Sequence, residues 1–150
     1  MDLRHKIEEI AAPFLQTIDA FIVDIHIIND GQRKVVQLFV DTDTGITIGQ
    51  CTDLNRNIGE ALELQNIIPS SYVWEVSSPD ITKPLTLLRQ YRKNIGRQFR
   101  VRYRKDGGST EIIAKLNKIE DDQLTFITKK EETYKVSFQE IIESMEELPW

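Results

Sequence analysis

Very little of this chain is equipped for bond-making chemistry. Of its 150 residues one is cysteine and two are histidine. A lone cysteine, Cys51, excludes an internal disulfide. No group of Cys and His has the spacing of metal ligands, so neither metal nor cofactor is expected. Gly107-Gly108 lacks the flanking glycines and the lysine of a phosphate loop. No apolar run approaches the roughly 18 residues of a membrane span. The first twelve residues carry Glu8 and Glu9 and no apolar core, unlike a signal peptide. Low-complexity tracts and internal repeats are also missing. These absences point to a cytoplasmic protein without a membrane partner.

The few reactive side chains are poorly placed for catalysis. His5 falls on a helix. His26 and Asp24 sit two apart on a strand, which makes a polar face rather than a catalytic pair. Cys51 falls on the apolar side of a helix and reads as a small buried hydrophobe. Glu131-Glu132 and Glu146-Glu147 read as solvated surface. An enzyme is not expected, and no catalytic residue is assigned.

What the chain does have is segregated charge. Its net charge is −5, but residues 1–78 hold 5 Lys/Arg and 12 Asp/Glu, whereas residues 79–150 hold 14 and 12. Such asymmetry suggests two domains with different partners. The basic residues cluster further. From Ile81 to Lys105 nine occur without one acid: Lys83, Arg89, Arg92, Lys93, Arg97, Arg100, Arg102, Arg104 and Lys105.

Periodicity supplies the elements. Leu3, Ile7, Ile10, Phe14 and Ile18 predict an amphipathic helix that Pro13 should kink or divide. Phe21, Val23, Ile25 and Ile27 predict a strand with one apolar face. Asn29-Asp30-Gly31 is a hairpin signal, with a return strand over 34–41. Thr47 and Gln50 match a capping box that opens a second helix. A third strand spans 72–77. The order helix, strand, strand, helix, strand makes a two-layer αββαβ domain over 1–79.

A junction with a short helical turn follows over 80–96. Residues 97–150 then read as a small antiparallel barrel of short strands and tight turns. Phe99, Val101 and Tyr103 fall on one side of their strand, and Ile112, Ala114 and Leu116 share a face of the next. Ile141, Ile142 and Met145 suggest a closing helical turn.

On the strand over 97–104, Arg100, Arg102 and Arg104 share one face. Arg89, Arg92 and Lys93 share another at i, i+3 and i+4. Together they outline a patch suited to a phosphate backbone, which would relieve their repulsion and release counterions. The alternative is a solvated face, paired across strands with Glu111 or Glu131. The acidic half suits a basic protein. An RNA–protein adaptor is consistent with both halves.

Two stretches carry a family resemblance. "FIVDIHIINDGQRKVVQLFVDTDTGITIGQCTDLNRNIGEALE", followed by "YVWEVSSPDITKPL", resembles the RimP family of factors that mature the bacterial small ribosomal subunit. The junction motif is carried by Glu75, Val76, Ser77, Ser78, Pro79, Asp80, Lys83, Pro84 and Leu85. Asp80 replaces the family's glycine, and Thr82-Lys83 its usual Asp-Arg. "NIGRQFRVRYR" and "YKVSFQEIIESMEEL" occupy the place of the family's C-terminal domain.

The resemblance implies an α+β chain, with the αββαβ domain followed by a C-terminal Sm-like (SH3-type) β-barrel. It implies a non-enzymatic, monomeric factor that binds the immature 30S ribosomal subunit. Its partners would be 16S rRNA and small-subunit ribosomal protein twelve (uS12), and it would aid rRNA folding and protein incorporation near the decoding region. The alternative is a generic Sm-like RNA-binding regulator.

Overall fold

The computed structural model describes residues 2–80 and 83–147. The junction positions Ile81 and Thr82, and the last three residues of the expected barrel, lie outside the described residues. The chain divides into two compact units, Met1–Pro79 and Asp80–Trp150. Both contain β-structure, and the architecture is α+β.

In the first unit, helix α1 runs over Leu3–Gln16, with Asp2 Oδ1 accepting from the His5 amide at 2.8 Å. Pro13 does not divide it. The proline forfeits one bond, to the Glu9 carbonyl, but it sits in the last turn, so only the helix end lies beyond it, and Ile7, Ile10, Ala11 and Leu15 anchor the helix in the core. Strand β1 (Ala20–Asp30) turns through Gly31, at φ +64°, into β2 (Arg33–Thr42). Helix α2 (Ile48–Gln65) begins with the reciprocal Thr47/Gln50 capping box, both bonds at 3.0 Å. Strand β3 (Tyr72–Ser77) lies parallel to β2, giving the sheet order β1-β2-β3.

One expectation about β1 is overturned. A bulge between Ile22 and Asp24 inserts an extra residue, so the strand changes face partway along. Ile22, Ile25 and Ile27, opposite Val40, Leu38 and Val36, join the core cluster. Phe21 and Val23 were expected beside Ile25 and Ile27, and the bulge takes them off that face. Leu54, Ile58 and Leu62 of α2 close the core from above. Cys51, expected to be buried, is only partly so and stands at the margin of that core.

In the second unit, Leu88–Asn94 form a 3-10 helix. Gln90 Oε1 receives the amides of Thr86 and Leu87 at 2.8 and 2.9 Å and so caps its start. Five strands follow: β4 (Gln98–Lys105), β5 (Gly108–Glu120), β6 (Gln123–Ile127), β7 (Thr133–Ser137) and β8 (Ile141–Glu146). They form an antiparallel sheet in the order β7-β6-β5-β4-β8. A bulge between Leu116 and Lys118 bends β5, which pairs with β4 along its first part and with β6 along its last. The sheet therefore surrounds one core containing Phe99, Val101, Leu116, Leu124 and Phe126, with Tyr91 of the 3-10 helix packed into it. Among the described residues no ladder joins β7 to β8, so the sheet is open and not a closed barrel.

The expected closing helical turn at Ile141, Ile142 and Met145 is strand β8 instead. The free flank of β4 presents a row of unpaired backbone groups, and a strand satisfies them where a helix would not. Ser144 is fully buried at the centre of this pairing, and its carbonyl accepts the Leu85 amide at 2.9 Å.

Candidate functional site

Strand β4 carries the arginine row that the alternation predicts. Phe99, Val101 and Tyr103 point inward, and Arg100, Arg102 and Arg104 are exposed. The neighbouring strands then alter the charge of that face. Glu111 on β5 and Glu143 on β8 both stand opposite Arg102.

The arginines are accordingly paired to different degrees. Arg100 Nη1 donates to Glu111 Oε1 at 2.9 Å, and its Nη2 and Nε reach the two Glu147 oxygens at 3.2 and 3.3 Å. These carboxylates, Glu147 first and Glu111 second, hold the guanidinium above its ordinary pKa. Arg97 Nη1 meets Glu146 Oε1 at 2.8 Å. Arg102 lies 3.9 Å from Glu143, too long for a hydrogen bond. Arg104 and Lys105 form no ion pair among the described residues. They lie at the tip of the β4–β5 hairpin, beside Gly107 and Gly108, in an open hollow of about 570 Å³ that Glu140 and Ile142 also line.

The remaining basic positions are dispersed. Lys83 is exposed, with its amide donating to Asp80 O at 3.1 Å. Arg89, Arg92 and Lys93 lie on the 3-10 helix, where three residues per turn place Arg89 and Arg92 in line and carry Lys93 away from them. None of these three is an unpartnered charge. The nine residues thus form no uniform positive surface. The expected cross-strand pairing with Glu111 occurs. Glu146 and Glu147, read as solvated surface, are instead partners of Arg97 and Arg100, and Glu143, in the segment read as a helical turn, faces Arg102.

The junction motif divides between the units. Ser77 ends β3 and Ser78 is exposed beside it, with Pro79 closing the first unit. Asp80, Lys83 and Pro84 are exposed in the second unit, and Leu85 packs on its core. The motif's last residue is therefore a packing position.

The His26–Asp24 pair is a real contact, with Nε2 and Oδ2 2.9 Å apart. Asp24 Oδ1 also accepts the Ile25 amide, and Arg4 lies 3.8 Å away. The imidazole rests edge-on against Phe39, with ring centres 4.9 Å apart. Among the described residues no hydroxyl or thiol hydrogen-bonds to the pair. Burial, and then Asp41, raise the Cys51 thiol above its ordinary pKa, opposite to the activation of a nucleophile. Among the described residues no cluster of His, Cys, Asp and Glu could hold a metal. No described helix is long and apolar enough to cross a membrane.

Residues 10–82 match the family described as the RimP N-terminal domain. Over 97 residues the chain is 40% identical to the ribosome maturation factor RimP of Nitratidesulfovibrio vulgaris, covering 65% of this chain and 56% of that protein. Over 104 residues it is 38% identical to the ribosome maturation factor RimP of Chlorobium phaeobacteroides, covering 66% and 60%. The matched region thus spans less than two thirds of each relative's own length.

Proposed function

We propose, from the premise that this chain belongs to the RimP family, that it is a non-enzymatic ribosome maturation factor that binds immature 30S subunits. In this reading the second unit contacts 16S rRNA and uS12, and the acidic first unit meets a basic ribosomal protein. The factor acts as a cytoplasmic monomer and assists rRNA folding and protein incorporation near the decoding region. The assignment of the open five-stranded sheet to the Sm-like (SH3-type) class, and the junction over 80–96, belong to the same proposal.

One observation carries the RNA half of the reading. The β4 arginine row ends in Arg104 and Lys105, exposed on a hairpin tip and paired with no acid among the described residues. Arg97 and Arg100 are already engaged by carboxylates, and Arg102 stands between Glu111 and Glu143 on the flanking strands. A phosphate backbone gains most from cations whose charge is not already satisfied, because it then displaces counterions and not a protein carboxylate. The hairpin tip is the part of the patch that meets this condition best.

Co-sedimentation tests the proposal. The chain should be recovered with immature small subunits more than with mature ones, and recovery should fall as salt rises. Equal recovery with mature 70S ribosomes overturns it. A ring-forming Sm-like regulator would instead oligomerise and bind free RNA, and light scattering separates that outcome from a monomer.

A further inference from the structure

The two edges of the first unit's sheet are treated differently. At the β1 edge, Arg4 Nη2 donates to the outward carbonyl of Ile25 at 2.7 Å, and the bulge at Val23 distorts the strand beside it. An arginine and a bulge are devices that keep a strand edge from recruiting another chain. At the β3 edge neither device is present.

The register of β3 defines what that edge offers. The Lys34 amide donates to Ser71 O at 3.0 Å, and Lys34 stands opposite Tyr72. In a parallel ladder this directs the backbones of Val73, Glu75 and Ser77 toward β2. The N–H and C=O groups of Tyr72, Trp74 and Val76 then point away from the sheet. Beside the edge, a groove of about 320 Å³ runs between the C-terminal half of β3 and the first turns of α2. Its walls include Ile48, Cys51, Thr52 and Asn55 on the helix, and Glu75 and Val76 on the strand. Ile48, 88% exposed, adds apolar surface at the mouth of the groove. The Asn55 side-chain oxygen is buried without a hydrogen-bond partner.

A strand edge walled by a helix is the arrangement in which an extended peptide adds as a further strand. The electrostatics select the peptide. No Lys or Arg lines the groove, Glu75 does, and the first 78 residues carry −7. A phosphate backbone would be repelled there, and it has no alternating amides to pair with the edge. We infer that the groove between β3 and α2 is a docking site for an extended basic segment of a partner protein, which pairs with the backbones of Trp74 and Val76. This deepens the proposed function by naming the class of protein partner, and it rests on that reading only for where the partner is found. It also gives Glu75-Val76-Ser77-Ser78, the first half of the junction motif, a role as one wall of the site.

Amide exchange measured by NMR on the full chain tests the inference, with a synthetic peptide of alternating Lys and Val as the probe. The Trp74 and Val76 amides should become protected on titration, because strand addition supplies their missing acceptors. Thr52→Arg, a change at an exposed position on the helix wall, should weaken binding about tenfold or more, a change typical of a lost or reversed interface charge. Thr52→Glu should not weaken it. A peptide methylated on alternate backbone nitrogens along its pairing edge should fail to bind.

Several results would overturn the docking site: no new protection at Trp74 and Val76, equal binding of the methylated peptide, equal protection by an oligouridine, or protection from self-association without peptide. Loss of small-subunit co-sedimentation while peptide protection persists refutes the ribosomal reading alone. Intact co-sedimentation without peptide protection refutes the groove alone.

Discussion

Arg102 and Glu143 stand opposite each other across the β4–β8 ladder, their charged ends 3.9 Å apart. They are 41 residues apart in the chain, and only the pairing of β8 with β4 makes them neighbours. The same pairing accompanies the contacts of Glu146 with Arg97 and Glu147 with Arg100. A run of nine cations in sequence thereby becomes a mixed surface in space. The predictions below follow from this and from the local devices around it.

Arg104→Glu combined with Lys105→Glu should weaken RNA binding more than Arg100→Ala combined with Arg102→Ala. Losing two phosphate contacts lowers the salt slope of log K by about 1.8 for duplex nucleic acid, or about 1.4 for single strands. Filter binding over a salt series checks this. An equal effect of the two pairs would mean that the carboxylates around Arg100 do not occupy it against RNA. Reversal at Arg100 is a poor probe, since a glutamate there would face Glu111 and Glu147.

Thr47→Ala removes the acceptor for the Gln50 amide and undoes the capping box. The loss should be about 1 kcal/mol in the stability of the first unit. Urea denaturation of the variant beside the parent measures it. Thr47→Ser should retain most of the stability, because its hydroxyl can take the same bond.

Tyr91 is fully buried, and burial raises its phenol above the ordinary tyrosine value, with the Ser144 hydroxyl pulling the other way to a smaller degree. Both hydroxyl oxygens are buried without a hydrogen bond of good geometry. The folded state therefore keeps this proton longer than the unfolded chain does. Its contribution to stability is complete below the unfolded value of about 10 and is lost as pH rises from there through the folded pKa. Tyr91→Phe should flatten the alkaline decline in urea midpoint. Tyr72 and Tyr134 are raised as well, Tyr72 first by burial and Tyr134 first by its bond to Glu132, so a residual slope is expected.

Arg4→Ala uncovers the Ile25 carbonyl on the β1 edge. Concentration-dependent association should increase, as seen by sedimentation velocity, with little change in stability, because Arg4 is half exposed and its ion pair with Asp24 is weak. Arg4→Lys should restore part of the protection, since a charged side chain at an edge still opposes pairing.

Much of the first unit was legible in the chain. The Thr47/Gln50 cap, the Asp30-Gly31 turn and the strand over 72–77 rest on local backbone chemistry that a few adjacent residues specify. The inward set Phe99, Val101 and Tyr103 was legible for the same reason, since alternation needs only the strand itself. The face of β1 was not, because one inserted residue at Val23 reverses which side chains point inward, and a bulge is chosen by the pairing with β2. Strand β8 was not legible either, since Ile141, Ile142 and Met145 fit a helical turn until β4 offers its free edge.

The sequence by itself determined the segregation of acidic and basic charge, the scarcity of catalytic groups and the motif at the junction, since composition and order settle these before any folding. Tertiary structure alone decided which of those charges remain unneutralised and which strand edge stays open. Both depend on partners far away in the chain, and hydrogen-bonded ladders bring those partners together only when the sheet forms.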